Sequence, residues 1–445
     1  MKPLLRWELR WKVAGAELNR SATKATFWVN GRSYTPQARP IVVICLDGSA
    51  DEYLDATLNR GRMPNLQKMA VQGYRGLARA ALPTFTNVNN SSIITGVPPS
   101  VHGISGNFFY DAAANQEVMM NSAAYLRAET ITASAAKAGR KVAVVTAKEK
   151  LRDIFGHGLV GAPLNGSGGV AFSAEKAHQA VTETHGISNV ETMVGQPTPQ
   201  IYSADASLYV LRAGVALLRR ELGDFLYLST TDYMQHTYGP EAAPSLDFYS
   251  AIDFELGRLV ELGAVVGITA DHGMNAKQKK NGEPNVIYLE SELTKHFGPD
   301  FRVILPITDP YVVHHGALGS FAVVHLPRDH KASAFQEIVH RWLLDLPGVT
   351  EVYDRDMAVR KLELPADRLG ELVVLSGRDV VLGRTPEYHD LKVLHAGLRS
   401  HGGRYEEMVP FIISESLKPE YSARAAGDVR NFDIFDFVCN GVCAR

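Results

Sequence analysis

The sequence predicts an α/β protein with a mostly parallel central sheet flanked by helices. Short, fully apolar segments alternate along the chain with helical patterns, which is typical of βαβ units. Four of these segments have the length of buried strands and end in polar or charged residues: 41–46, 141–146, 225–229 and 264–270. Because parallel connections bring the carboxyl ends of strands to one edge of a sheet, we expect a ligand site at that edge.

The pattern changes after Gly273, where short strand patterns follow one another closely. Together with one helical segment they predict a smaller α+β cap inserted at residues 283–388. The core is then expected to consist of residues 41–282 and 389–445, the second of which completes the sheet. The strand and helix patterns of the cap are 286–289, 301–305, 321–325, 332–344 and 348–353.

Residues 1–40 are predicted to form an N-terminal extension that contains a β-hairpin. The hairpin spans residues 27–34, because Asn30-Gly31 supplies the two residues of positive φ that a type I′ turn requires. The first 20 residues mix charged and aromatic side chains and contain no continuous apolar run. They do not resemble a secretory signal, so a cytoplasmic location is expected.

The composition excludes several classes of protein. The chain of 445 residues is 45% hydrophobic and 21% charged, as in ordinary globular proteins. Its formal net charge of -2, with both signs interspersed, gives no electrostatic basis for nucleic-acid binding. No apolar run is long enough to span a membrane, and three cysteines are too few for a disulfide framework in a chain of this length. The oligomeric state is left open, with a homodimer among the assemblies that the sequence allows.

An acidic residue and an imidazole, Asp271 and His272, stand side by side at the end of the fourth apolar segment. Both residue types bind borderline metal ions such as Zn²⁺, and the end of a buried strand is where open α/β sheets place ligands. The alternative is a helix cap followed by a surface histidine. The pair alone does not decide between the two interpretations.

Further candidate ligands lie elsewhere in the chain. Asp232 and His236 are four residues apart, so on a helical turn they share a face and suit one ion, although an N-cap aspartate with a surface histidine has the same spacing. His401 is followed by two glycines, which allow close approach of the backbone to a site. The alternative for His401 is an exposed loop histidine. Asp47 ends the first apolar segment.

Thr86 and Asn87 precede an apolar helix start. A helix N-terminus presents backbone N–H groups to an anion, and a hydroxyl beside a metal ion becomes an activated nucleophile. The same two residues are also favoured in an ordinary capping stretch. Lys148 and Lys150 follow the second apolar segment; such pairs usually lie on a solvated surface, but at the predicted site they would bind a substrate with additional negative charge.

The candidate site residues from Asp47 to His401 resemble, in type and in chain order, the metal-site pattern of the alkaline phosphatase superfamily. The stretches 86–96 and 99–107 resemble its nucleotide pyrophosphatase/phosphodiesterase branch. Several stretches are more narrowly similar to the phosphonoacetate hydrolase family, and the similarity covers about residues 25 to 415. These stretches are 86–110, 144–151, 226–236 and 307–320.

The resemblance implies two Zn²⁺ ions per subunit and a threonine nucleophile, Thr86. The residues implied to hold the first ion are Asp47, Thr86, Asp271 and His272. Those implied to hold the second are Asp232, His236 and His401. Those implied to contact the substrate are Thr86, Asn107, Lys148 and Lys150.

The activity that the resemblance implies is hydrolysis of the P–C bond of phosphonoacetate to acetate and phosphate. The alternative is a phosphodiesterase or nucleotide pyrophosphatase of the same superfamily, which binds a nucleotide base in an apolar slot. A sulfatase is disfavoured because residues 45–49 lack the Cys-x-Pro-x-Arg pattern of that branch. A catalytically inactive scaffold protein is also disfavoured, because such a protein has no need for a complete set of metal ligands together with a nucleophile and two lysines. For His314 and His315, in the cap, we expect a structural role.

Overall fold

The structure is a computed structural model, and it describes residues 25–159, 169–309, 316–327, 333–394 and 397–444. The strands in these ranges are β1 Phe27–Val29, β2 Arg32–Tyr34, β3 Ile41–Cys45, β4 Tyr74–Arg79, β5 Phe108–Asp111, β6 Gln116–Met119, β7 Val142–Thr146, β8 Val170–Ser173, β9 Phe225–Ser229, β10 Val265–Thr269, β11 Asn275–Ala276, β12 Val286–Tyr288, β13 Arg302–Ile304, β14 Phe321–His325, β15 Val349–Asp354, β16 Leu372–Ser376, β17 Val381–Gly383, β18 Arg399–Ser400 and β19 Met408–Ile413. The α-helices are α1 Asp51–Leu58, α2 Pro64–Gln72, α3 Thr86–Thr95, α4 Pro99–His102, α5 Ile131–Lys137, α6 Glu149–Phe155, α7 Thr182–His185, α8 Val190–Val194, α9 Ala204–Arg219, α10 Tyr233–Thr237, α11 Ala243–Glu261, α12 Leu289–Phe297, α13 Ser333–Leu344, α14 Arg355–Leu362, α15 Pro419–Ala425 and α16 Ile434–Asp436.

Across the described ranges, the main sheet has seven strands in the order β4-β19-β10-β3-β9-β7-β8. The five strands from β10 to β8 are parallel to one another, whereas β19 and β4 pair antiparallel at the other edge. The predicted fold class, a mostly parallel sheet flanked by helices, is confirmed. The four apolar segments of the sequence are β3, β7, β9 and β10, and all four are buried along their whole length.

Both faces of the main sheet are covered, which explains why its central strands are apolar without alternation. Successive side chains of a strand point to opposite faces. In β3, Val42 and Ile44 therefore belong to one core, while Val43 and Cys45 belong to the other. Helices α1, α2, α9 and α11 contribute to the first core, and α5, α6, α16 and the β1–β2 hairpin contribute to the second.

The predicted N-terminal hairpin is confirmed. β1 and β2 pair antiparallel, with Phe27 opposite Tyr34. The turn residues Asn30 and Gly31 have φ of 48° and 80°, as a type I′ turn requires. No helix in the described part of the chain has the length and apolar character needed to cross a membrane.

A second, antiparallel sheet in the order β13-β14-β16-β15 lies within the range expected for the cap. Its core includes Phe85 and Val88, so this unit packs against the beginning of α3. The division into an extension, a core and a cap at the stated boundaries stays a prediction. His314 and His315 lie outside the described residues.

Candidate metal centre and active site

Three neighbouring strands of the main sheet bring three carboxylates to one edge. Asp47 follows β3, Asp232 follows β9 and Asp271 follows β10, and all three are at most 3% exposed. Burial, together with the charges of Asp232 and Asp271, raises the pKa of Asp47 well above its usual value. Like charges this close are unfavourable unless cations lie among them.

A glycine permits the close approach of these strand ends. Gly48 has a φ of 70°, and a Cβ atom at this position would lie 2.8 Å from the Cβ of Asp232. The backbone N–H of Gly48 donates to Asp271 Oδ1 at 3.1 Å. Asp271 also accepts from the backbone N–H of His272, and β11, not a helix, follows in the chain. The helix-cap interpretation of Asp271 is therefore wrong.

The three predicted histidine ligands share one hydrogen-bonding arrangement. In each, Nδ1 lies at hydrogen-bond distance from a backbone carbonyl, which can only accept, so Nδ1 carries the proton. The other ring nitrogen, Nε2, lies near a carboxylate of the cluster in all three histidines and is the atom through which each could bind a metal ion. The carbonyl partners are Arg399 O for His236 at 2.7 Å, Gly273 O for His272 at 2.9 Å and Thr84 O for His401 at 2.7 Å.

The histidine rings lie close to one another and to the carboxylates. The rings of His272 and His401 stack with centroids 3.5 Å apart. His272 Nε2 is 3.4 Å from Asp47 Oδ1, and His401 Nε2 is 3.7 Å from Asp232 Oδ2. His236 Nε2 is 2.9 Å from the same Asp232 oxygen. His401 is 2% exposed and so is not an exposed loop histidine.

Among the described residues, two groups of side chains could each hold a metal ion, with ligand atoms within 4.8 Å of one another. The groups are Asp47, Asp271 and His272, and Asp232, His272 and His401. His272 belongs to both groups, whereas the family resemblance implied it as a ligand of the first ion alone. The division of ligands between two ions stays a prediction.

Asp232 lies at the N-cap position of α10, but its side chain makes no capping hydrogen bond. Its carboxylate instead contacts Lys148 Nζ at 3.3 Å and His236. Burial opposes ionisation of this carboxyl, but the charges of Lys148 and His236 outweigh it and hold the pKa of Asp232 well below its usual value. The capping interpretation is thus not supported by the geometry.

Thr86 is the first residue of α3, after the N-cap residue Phe85. Its side chain lies inside the site, with Oγ1 3.4 Å from His272 Nε2. Thr86 is 6% exposed, and it stands where the N-terminal backbone groups of α3 can face an anion.

Asn90, one turn after Thr86, is a site residue that the sequence analysis missed. Its Nδ2 donates to Thr86 O and to Asp271 Oδ2, both at 3.0 Å. Its Oδ1 accepts from the hydroxyls of Tyr227 and Ser229 on β9. Asn90 therefore ties the helix that begins at Thr86 to two strands of the sheet. A polar amide in the middle of a buried helix was the available signal.

Asn107 lies beside the N-terminus of α3 and is 7% exposed. Its Oδ1 accepts from the backbone N–H of Asn87 at 3.3 Å, which leaves its Nδ2 group as a donor for a ligand. Its backbone N–H donates to Pro306 O at 2.8 Å. The predicted substrate contact is thus held by both α3 and the segment after β13.

Lys148 and Lys150 stand at the beginning of α6, and neither lies on a solvated surface. Their side chains are 8% and 17% exposed. Burial disfavours the charged form of Lys148, but Asp232, Asp47 and Asp309 outweigh it and raise the pKa of its ammonium. Burial and the charge of Lys148 lower the pKa of Lys150, although Asp309 opposes this shift. Lys150 forms an ion pair with Asp309, a residue that the sequence analysis did not find.

Comparisons with known proteins connect this geometry to a family. Residues 41–404 match the family model described as type I phosphodiesterase / nucleotide pyrophosphatase. A venom phosphodiesterase from Naja atra is 35% identical over 112 residues, which cover 23% of this chain and 13% of that protein. Ectonucleotide pyrophosphatase/phosphodiesterase family member 3 from Bos taurus is 24% identical over 261 residues, or 53% and 25% of the two chains. The matches span a quarter or less of these curated relatives.

A solved structure is similar over nearly the whole chain. It is a phosphonoacetate hydrolase from Sinorhizobium meliloti 1021, crystallised in complex with phosphonoformate and with phosphonoacetate. It is 44% identical, has a TM-score of 0.88, and the match covers 95% of this chain and 100% of that one. The predicted resemblance to phosphonoacetate hydrolase is confirmed. The chain belongs to the type I phosphodiesterase / nucleotide pyrophosphatase family.

Proposed function

We propose that this protein hydrolyses the P–C bond of phosphonoacetate to acetate and phosphate, with Thr86 as nucleophile and two zinc ions as cofactors. The observation that carries the proposal is the position of Lys148, which is buried, and Lys150, which is largely buried, beside the cluster of carboxylates and histidines. A simple phosphate ester has no carboxylate for them to bind. The similarity to a phosphonoacetate hydrolase supports the same substrate.

The buried cluster fits metal ions. Neither carboxylate oxygen of Asp47 receives a hydrogen bond within the part of the chain that the structure describes. Imidazole nitrogens and carboxylate oxygens are zinc ligands. The proposed ligands are Asp47, Thr86, Asp271 and His272 for one ion and Asp232, His236 and His401 for the other. Bound there, the ions would polarise phosphonate oxygens and lower the pKa of a hydroxyl.

Thr86 would lose its hydroxyl proton to solvent and attack phosphorus in line through the resulting oxygen. As the new P–O bond forms, the P–C bond breaks and its electron pair passes to the carbon atom. This charge is delocalised over the adjacent carboxylate until the carbon takes up a proton and acetate leaves. Water then hydrolyses the phosphothreonine, which releases phosphate and restores Thr86.

The other proposed substrate contacts act on the two charged ends of the molecule. Asn107 would donate a hydrogen bond to a phosphonate oxygen, while Lys148 and Lys150 would bind the carboxylate and the charge that develops on it. Because these side chains are largely buried and held by partners before the substrate binds, little reorganisation would accompany the reaction. The predicted cytoplasmic location, a homodimer and the absence of a nucleic-acid partner belong to the same proposal.

The second candidate, a phosphodiesterase or nucleotide pyrophosphatase, is favoured by the family match and the curated relatives. It shares the proposed nucleophile and metal ligands. Hydrolysis of a 4-nitrophenyl phosphodiester at a kcat/KM far above that for phosphonoacetate would favour this candidate. The reverse order supports phosphonoacetate hydrolysis.

Replacement of the nucleophile tests the reaction. We expect Thr86→Ala to lower kcat for phosphonoacetate on the order of 10³-fold or more, because the covalent step is lost. Thr95→Ala, at the other end of the same helix, should retain activity. Phosphate release by zinc-loaded protein is the measurement. Turnover by Thr86→Ala at a rate close to that of the unmodified protein would contradict the assignment.

The lysine pair tests substrate choice. Lys148→Ala and Lys150→Ala should each lower kcat/KM for phosphonoacetate by about tenfold or more, the effect of losing a charged hydrogen bond, and affect 4-nitrophenyl phosphate much less. Lys68 is an exposed lysine of α2, so Lys68→Ala is the matched control and should leave kcat/KM unchanged for both substrates. Equal losses for both substrates would mean that the lysines do not bind the carboxylate.

The metal content tests the cluster. Dialysis against a chelator should abolish activity, and restored activity should coincide with binding of about two zinc ions per chain, measured by elemental mass spectrometry. Asp47→Asn should bind fewer ions, since one anionic ligand is lost. Asp51→Asn, on α1, should bind as many as the unmodified chain. A fully active, zinc-free protein would rule out this cofactor.

A further inference from the structure

One segment of the predicted cap, residues 305–309, reaches the candidate active site at two places. At one end, Pro306 O accepts the backbone hydrogen bond of Asn107 at 2.8 Å. At the other end, the carboxylate of Asp309 forms an ion pair and hydrogen bond with Lys150 Nζ. The same short segment thus contacts two of the residues that are proposed to bind the substrate, Asn107 and Lys150.

Asp309 is enclosed more completely than the lysine that it contacts. Its side chain is 1% exposed, compared with 17% for Lys150. Burying a carboxylate is costly unless a partner compensates it, so this pairing is not an incidental surface contact. Lys148, two residues earlier, contacts a different carboxylate, Asp232. The two lysines are therefore held by separate acidic residues from separate parts of the chain.

We infer that Asp309 is a positioning residue that holds Lys150 in place for the carboxylate of the substrate. A lysine ammonium has three N–H donors on a flexible stem of four carbons. When Asp309 accepts from one donor, the nitrogen is fixed and the remaining donors can serve a ligand. A substrate carboxylate then binds an ammonium group whose conformational entropy has already been lost.

The inference rests on the proposed function, because it limits the effect of Asp309 to ligands that carry a carboxylate. Inorganic phosphate, the second product, carries none. A residue that only supported the fold would affect phosphate and phosphonoacetate alike. Comparing the two ligands therefore separates positioning of Lys150 from a general structural role.

The test variant is Asp309→Asn, which keeps the shape of the side chain and removes its charge. The control variant is Asp300→Asn, since Asp300 is an exposed aspartate earlier in the same region. The kcat/KM for phosphonoacetate is measured by acetate release, and the inhibition constant of inorganic phosphate is measured in the same assay. Asp309→Asn should lower kcat/KM about ten- to one-hundred-fold, as expected for a lost hydrogen bond to a charged group, and shift the inhibition constant less than about twofold. Asp300→Asn should change neither value.

A double-mutant cycle with Lys150→Met gives a readout that a structural role would not produce. Once Lys150 is absent, Asp309→Asn should cause less than about a twofold further loss. Asp309→Glu, which keeps the charge, should retain more activity than Asp309→Asn and covers the case in which the asparagine variant does not fold.

Three results would overturn the inference alone: an equal effect on phosphate, an undiminished loss in the Lys150→Met background, or a lower KM for phosphonoacetate in Asp309→Asn. The last would mean that Asp309 competes with the substrate for Lys150. Absence of acetate release by the unmodified enzyme would overturn the proposed function, and this inference with it.

Discussion

Three carboxylates packed at adjacent strand ends impose the constraint on which the rest of the site depends. Asp47, Asp232 and Asp271 are buried because β3, β9 and β10 are neighbours, and the left-handed turn at Gly48 lets two of these strand ends approach closely. Mutual repulsion in a site of low dielectric disfavours this arrangement unless positive charge is held among the three. Lys148, which contacts Asp232, and the proposed zinc ions would meet that requirement.

The polar groups around the carboxylates are held by the backbone and by the helix that carries Thr86. Each histidine is oriented by a carbonyl, and Asn90 connects α3 to two strands of the sheet. Fixed partners of this kind keep the proposed metal ligands and the proposed nucleophile in one arrangement before a substrate binds. The second sheet adds to this rigidity, because its core includes Phe85 and Val88 at the beginning of α3.

The sequence was sufficient for the parts of the fold that physical patterns determine locally. The strands β3, β7, β9 and β10 were predictable because burial on both faces produces continuous apolar runs. The edge strand β4 was not, since it is only partly buried and has no such run. The sequence predicted that residues 389–445 complete the sheet, as β19 does, but Pro410 obscured the position of this strand because proline is unfavourable in a central strand. Asp309 escaped detection for another reason: 159 residues separate it from Lys150, and only the folded chain brings them together.

The proposed function requires one substrate to contact two neighbouring groups of polar residues, with its phosphonate at Thr86 and its carboxylate at Lys148 and Lys150. A crystal structure of zinc-loaded Thr86→Ala protein with phosphonoacetate would test it most directly. We expect the carboxylate within hydrogen-bond distance of Lys148 and Lys150 and the phosphonate at the N-terminus of α3. A carboxylate that contacts neither lysine, with the phosphonate still at the cluster, would contradict it.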